Sequence, residues 1–319
     1  YNGLDVERNL SKAIKYFEIA AKEDNPDALL NLSKIYFDGN GVEKNYIKSK
    51  EYAELAAKHN LPDAYYCLGT HYLFGYGVQQ NYITAKYYFE LAAKQNHSGA
   101  LFNLGSMYCN GNGVGINYSK AKDLYEQAIN QNSSEAYATL GNLYFYGHGV
   151  EQDFSIAKEY YEIADALGSS FNVYFNLGII YLIQKEVEQD YITAKDYLEK
   201  AAKQNNPDAL FHLGNLYYLG NGVQQDYSIA KKYYESSAKQ NNSNALFGLG
   251  YLYLNGHGVE RNYSKAIEYF ALSANQNNLA ALFNLLDIYS NGVQKDQSKF
   301  IHLCSEILSF DKILSFFIL

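Results

Sequence analysis

Residues 62–97 read PDAYYCLGTHYLFGYGVQQNYITAKYYFELAAKQNH, and this stretch decides the fold. Small and apolar residues fall at Ala64, Leu68, Gly69 and Tyr72, the i, i+4, i+5, i+8 spacing of one helical face. The spacing predicts a first helix, A, over about Pro62 to Phe74. Pro62 suits a helix start, where its missing N–H costs nothing. Gly75 and Gly77 then stop the helix, since glycine takes the left-handed conformation without a Cβ penalty. Val78 follows as an apolar plug under the turn. Three residues on, Asn81 can accept from the free N–H groups of the next first turn. A second helix, B, is predicted from about Tyr82 to Gln95. Ala85, Tyr88 or Phe89, Ala92 and Ala93 form its internal face, and Lys86 points to solvent.

The same unit recurs along the chain. The valine of the Gly-x-Gly-Val turn stands at Val6, Val42, Val78, Val114, Val150, Val187, Val223, Val259 and Val293, a spacing of 36 apart from one step of 37 and a last step of 34. A fixed period of this size means stacked two-helix units rather than a closed globular domain. A stack offers a long surface and no deep catalytic cleft. The expected cap position carries Asn9, Asn45, Asn81, Asn117, Asp153, Asp190, Asp226, Asn262 and Asp296, all Asn or Asp. Ala85 recurs as Ala13, Ala121, Ala157, Ala194, Ala230 and Ala266, with Ser49 as the substitute, so that A and B approach closely. Helix A is expected to start near residues 26, 62, 98, 134, 171, 207, 243 and 279.

Composition narrows the function. The formal net charge is -8, whereas nucleic-acid binding needs a basic stripe. An anionic membrane surface is disfavoured for the same reason, and no stretch approaches the roughly 20 apolar residues of a membrane span. Cys67, Cys109 and Cys304 are odd in number and do not follow the repeat, so they read as reduced packing residues. They favour a cytoplasmic location. Gly111-Asn112-Gly113-Val114-Gly115 follows a helix, not a strand, and fails the context of a phosphate loop. None of His71, His97, His148, His212 and His257 pairs with a second ligand at i, i+4, so neither a metal nor another cofactor is expected. No Gly-x-Ser-x-Gly motif is present, and Cys67 has no base partner visible in sequence.

Ala64-x-x-x-Leu68-Gly69-x-x-Tyr72-x-x-Gly75-x-Gly77-Val78, followed by Asn81-Tyr82-x-x-Ala85 and Ala92-Ala93, resembles the Sel-1-like repeat, a relative of the tetratricopeptide repeat. The likeness covers nearly the whole chain. It implies an all-α fold: a right-handed α-α superhelix, or solenoid, of about eight 36-residue helix-turn-helix repeats, with helix A on the concave side. The expected organisation is one solenoid over 1–319, with a partial first repeat at 1–25, repeats at 26–297 and a C-terminal cap at 298–319. The resemblance also implies a non-catalytic scaffold or adaptor with protein partners.

Two other readings stand beside it. One is a secreted ligand-binding or β-lactam-hydrolase-like member, although the paired cysteines of that group are missing. The other is a regulatory region of a larger enzyme such as a kinase, since the chain begins inside a repeat. Three departures are visible: Gln184 and Glu186 replace turn glycines, one residue is inserted near Gly168-Ser169-Ser170, and Leu286 replaces a helix A glycine.

Two rows on helix A form the expected partner surface. One holds Asn31, Cys67, Asn103, Thr139, Asn176, His212, Gly248 and Asn284. The other holds Lys34, Thr70, Ser106, Asn142, Ile179, Asn215, Tyr251 and Asp287. Asn103, Asn142, Asn176 and Asn215, with His212 and Tyr251, are the candidate contacts, because asparagine both donates to and accepts from a peptide backbone. Lys34 is nearly alone as a cation, so the expected partner segment is neutral or mildly basic with apolar anchors. Tyr66, Phe102, Phe175, Phe211, Phe247 and Phe283 form an aromatic row best read as inter-repeat core.

Overall fold

The computed structural model describes residues 10–168, 173–184 and 188–290, and among them every regular element is an α-helix. The chain divides into two compact units between Val173 and Tyr174. The first unit holds α1 (Leu10–Lys22), α2 (Pro26–Asp38), α3 (Tyr46–Ala57), α4 (Pro62–Phe74), α5 (Tyr82–Ala93), α6 (Ser98–Asn110), α7 (Tyr118–Ile129), α8 (Ser134–Tyr146) and α9 (Phe154–Ala166). The second holds α10 (Tyr174–Ile183), α11 (Glu188–Lys203), α12 (Pro207–Leu219), α13 (Tyr227–Ala238), α14 (Ser243–Asn255), α15 (Tyr263–Ala274) and α16 (Leu279–Ser290). Even-numbered helices are the A helices of the repeat and odd-numbered ones the B helices.

The turn glycines have separate tasks. Gly75 closes α4 at φ 74°, donating its N–H to the His71 carbonyl. Gly77, also at positive φ, lies so close to the first turn of α3 that a Cβ would stand 2.7 Å from the Tyr46 carbonyl carbon. The first glycine therefore ends a helix, and the second lets one repeat touch the one before it. The residue between them adds an aromatic contact across repeats. Tyr76 stacks on Tyr46 at 4.7 Å, His148 on Tyr118 at 5.0 Å and His257 on Tyr227 at 4.8 Å.

Asn45, Asn81, Asn117, Asp153, Asp226 and Asn262 cap the B helices through their side-chain oxygens, as the sequence predicts. The helix expected to follow Asp190 begins two residues earlier, at Glu188, which places Asp190 in the first turn of α11. The glycine turn that sets the entry elsewhere is replaced here, and an acidic residue in a first turn is favoured by the helix dipole. The expected caps Asn9 and Asp296, the inserted residue near 169–170, Glu186 of the altered turn and the C-terminal cap lie outside the described residues. The A helix expected near 171 is observed as α10, ten residues long and beginning at Tyr174.

Between the A and B helices of a repeat, glycine faces a ring. A Cβ on Gly69, Gly105, Gly141, Gly214 or Gly250 would lie 2.5–2.7 Å from the ring of Phe89, Tyr125, Tyr161, Tyr234 or Phe270 respectively. All five rings are buried, and each such burial stabilises by roughly 1.5–3 kcal/mol. Phe89, not Tyr88, thus fills the internal face; Tyr88 stacks on Tyr72 at 5.8 Å nearer the surface. The lysines there, including Lys50, Lys86, Lys122, Lys195 and Lys231, each reach the glutamate four residues on. Pairs of this kind contribute only a few tenths of a kcal/mol each.

Candidate functional site

The two predicted polar rows are partly spoken for by the core. Tyr161 donates its hydroxyl to Oδ1 of Asn142 at 2.7 Å, and Tyr234 donates to Oδ1 of Asn215 at 2.7 Å. Ser106 and the Tyr125 hydroxyl are 3.2 Å apart. Phe89 and Phe270 have no hydroxyl, and there the row carries Thr70, which donates to the Tyr66 carbonyl, and Tyr251. A buried tyrosine thus comes with a polar residue nineteen positions earlier, because a phenol shut away from water needs a partner. Asn176 is itself buried, at 8% exposure on α10. Asn103 is half-buried on α6.

His212 is mostly buried on α12 with its ring against Phe175 and Phe211. Burial holds its pKa below the ordinary histidine value, so it is neutral at pH 7. The aromatic row is core for most of its length: Tyr66, Phe102, Phe211 and Phe247 lie 5.6–6.0 Å from the rings of Phe89, Tyr125, Tyr234 and Phe270. Phe283 is exposed.

In the second unit the structure brings Asn215 and Tyr251 together. With Phe211 and Tyr218 of α12, Tyr234 of α13, and Phe247 and Gly248 of α14 they line a cavity of about 300 Å³ open to solvent. Gly248 shapes it. The corresponding residues include Asn103, Asn176 and His212, whereas the bare α-carbon of Gly248 sits close against the buried Tyr234 ring and projects no side chain over the cavity; a Cβ there would lie 3.1 Å from that ring. Tyr251 stands over the cavity, 39% exposed. Tyr218 packs edge-on to it and shares a hydrogen bond of 2.9 Å with Nδ1 of His257. Burial pushes the Tyr218 phenol up to about 12, with Tyr251 and Tyr227 adding to it, so it stays protonated. The cavity is neutral, aromatic and ringed by hydroxyl and amide groups, a setting for an apolar side chain with its flanking backbone. Sequence reasoning counted Asn215 and Tyr251 among the candidate contacts and set Gly248 only in the first row, because an absent side chain carries no motif. The signal was the break in the row.

Cys67 and Cys109 are free thiols. Burial pushes Cys67 up to about 11, which makes it a poor nucleophile. Among the described residues, no group of three or more His, Cys, Asp or Glu is placed to hold a metal ion, and no helix is long and apolar enough to cross a membrane.

Successive two-helix repeats, glycine turns such as Gly77 that touch the preceding repeat, and an A-helix face with an aromatic cavity define a tandem-repeat protein of the α-solenoid class. The Sel1 repeat family matches residues 1–25, 26–61, 62–97, 98–133, 134–169, 173–206, 207–242 and 243–278, and the chain belongs to it. Proteins of this family typically act as scaffolds for protein interactions. Among solved structures, the chain is similar to c5321, a protective antigen of uropathogenic Escherichia coli strains with an SLR fold (TM-score 0.76, 29% identity, 94% of this chain and 64% of that one). A Sel1 repeat protein of Oxalobacter formigenes shares the fold (TM-score 0.58, 24% identity, 90% of this chain and 83% of that one). The chain thus spans less than two-thirds of the length of the E. coli antigen. A search of curated proteins gave no match.

Proposed function

We propose that this protein is a non-catalytic scaffold that binds a partner polypeptide on its A-helix face, and that the cavity beneath Gly248 and Tyr251 is one anchor point. The supporting observation is that cavity: aromatic walls beside a glycine where most other repeats carry a side chain, with an asparagine and the tyrosines Tyr218 and Tyr251 around it. The partner segment offers an apolar side chain to the rings. Its flanking backbone meets Asn215 and the Tyr251 hydroxyl, which donate and accept like a peptide group. The net charge of -8 disfavours acidic segments and suits a neutral or mildly basic one.

The test is a comparative capture of proteins from cell extract by the wild-type chain and by Gly248→Asn. Asparagine already occupies the corresponding position at 103, 176 and 284, so the substitution fills the cavity with a residue the repeat accommodates. A set of proteins retained by wild type and depleted by Gly248→Asn supports the reading. Equal retention by both chains removes this cavity as an anchor.

A further inference from the structure

The dipeptide Asn-Gly occurs five times among the described residues, at Asn40, Asn110, Asn112, Asn221 and Asn255. It is the pair in which a backbone nitrogen most easily reaches the preceding side-chain carbonyl carbon, because glycine has no Cβ to obstruct the approach. The fold divides the five into two kinds. Asn110 and Asn255 end α6 and α14, and the glycine after each donates its N–H back into the helix, Gly111 to the Met107 carbonyl and Gly256 to the Leu252 carbonyl. Asn255 is held a second time, its Nδ2 donating to the Tyr251 carbonyl at 3.0 Å. Asn40, Asn112 and Asn221 stand two residues further along their turns, between the two glycines. Their own N–H groups donate to the carbonyls of Ile35, Met107 and Leu216. Among the described residues, no group accepts from the N–H of Gly41, Gly113 or Gly222. Exposure runs the other way, since Asn110 and Asn255 are exposed whereas Asn40, Asn112 and Asn221 are half-buried.

The glycine that follows each of these three asparagines is the one that touches the preceding repeat. A Cβ on Gly41, Gly113 or Gly222 would stand 2.9, 2.5 or 2.6 Å from the Cβ of Leu10, Tyr82 or Tyr191. There is no room there for the main chain to move inward. In order along the described turns, the residue between the glycines is Asn40, Tyr76, Asn112, His148, Asn221 and His257. Tyr76, His148 and His257 stack on a tyrosine of the preceding repeat. The junctions at Asn40, Asn112 and Asn221 have no ring to stack and carry instead a side chain that can cyclise.

We infer that Asn40, Asn112 and Asn221 are sites of spontaneous hydrolytic modification, and that their conversion to isoaspartate unseats the turn from the repeat before it. The glycine N–H gives its proton to solvent and the nitrogen bonds to the asparagine Cγ. The Cγ–Nδ2 bond breaks and Nδ2 leaves as ammonia. Water then opens the five-membered imide. Cleavage of the nitrogen–Cγ bond leaves aspartate, and cleavage of the bond to the original backbone carbonyl carbon leaves isoaspartate. One water is consumed and one ammonia released, with no change of oxidation state. In isoaspartate the main chain runs through Cβ and Cγ and is longer by one carbon–carbon bond, about 1.5 Å. A turn packed this tightly cannot absorb that length in place. At Asn110 and Asn255 the attacking nitrogen must first give up its helix-end hydrogen bond.

The test uses the whole chain, aged at pH 8 and 37 °C, with aspartate and isoaspartate at each site followed by peptide mapping and mass spectrometry. Modification at Asn40, Asn112 and Asn221 should be faster than at Asn110 and Asn255 by at least about five-fold, the factor one ordinary hydrogen bond supplies. In guanidinium chloride, where the turns are gone, the five rates should converge. The aged protein, enriched in isoaspartate, should unfold at lower urea than fresh protein. Asn40→His/Asn112→His/Asn221→His copies His148 and His257 and should age without that loss. Equal rates at all five sites in the folded chain, or faster modification of the exposed Asn110 and Asn255, would overturn the assignment. No modification of the folded chain at Asn40, Asn112 and Asn221 would overturn it as well. Isoaspartate at these sites with an unchanged urea midpoint would overturn the unseating.

Discussion

Replacing Gly141 by alanine places a methyl carbon 2.6 Å from Cδ1 and Cε1 of Tyr161. The ring cannot swing away freely. It is fully buried, and its hydroxyl is held by Asn142 at 2.7 Å. Overpacking a fixed ring costs about 1–3 kcal/mol. Alanine gains about 1 kcal/mol over glycine as a helix former, so the expected net effect is a loss of up to about 2 kcal/mol, against the sign that propensity alone gives. Gly115→Ala is the control, since nothing lies within 4 Å of its Cβ position; it should change stability by less than about 0.5 kcal/mol. Tyr161→Ala should cost about 3–5 kcal/mol. The double variant Gly141→Ser/Tyr161→Ala copies the natural pair Ser33 and Ala53, and should cost about 1–2 kcal/mol less than the sum of its two single changes. Urea unfolding followed by circular dichroism measures all of these. A stabilising Gly141→Ala, or strict additivity in the double variant, would refute the claim that glycine is there for the ring.

Three further outcomes are expected. Burial holds His71 below the ordinary histidine value, so below pH about 6.5 the unfolded chain binds the proton more readily than the folded one. Stability should therefore fall as pH drops from 7 towards 5, and Ser49→Ala/His71→Leu, which copies Ala121 and Leu143, should flatten that fall in thermal melts run across the range. Asn262→Ala should cost about 1 kcal/mol in the same urea titration, because it removes the cap on the Lys265 N–H. Tyr234→Phe should destabilise by about 1 kcal/mol, since Asn215 loses its donor in a part-buried site, and differential scanning calorimetry would show the shift.

The repeat made the helices legible. Pro62, Gly75 and Asn81 mark both ends of α4 and the start of α5 where the structure has them, because each acts on the backbone within one turn. Other periodic devices were equally visible but not read. Asn60, Asn96, Asn132, Asn205, Asn241 and Asn277 end B helices at φ 57–65°, and Asn25, His97, Ser133, Asn206, Asn242 and Asn278 cap A helices. The site was harder because its determinants are differences between repeats. The asparagines of the second row look like a groove ladder until the tyrosine nineteen residues later is seen to need one of them. Gly248 shapes its cavity by what it lacks, and a small residue looks like packing until the rings around it are placed beside it.

The most direct measurement is the dissociation constant of a captured partner for wild-type protein and for Gly248→Asn, by isothermal titration calorimetry. The account predicts weakening of at least about ten-fold, the scale of losing one buried anchor, with the melting temperature unchanged or raised. Equal affinity of the two proteins would contradict it and place the partner away from the Asn215 and Tyr251 cavity.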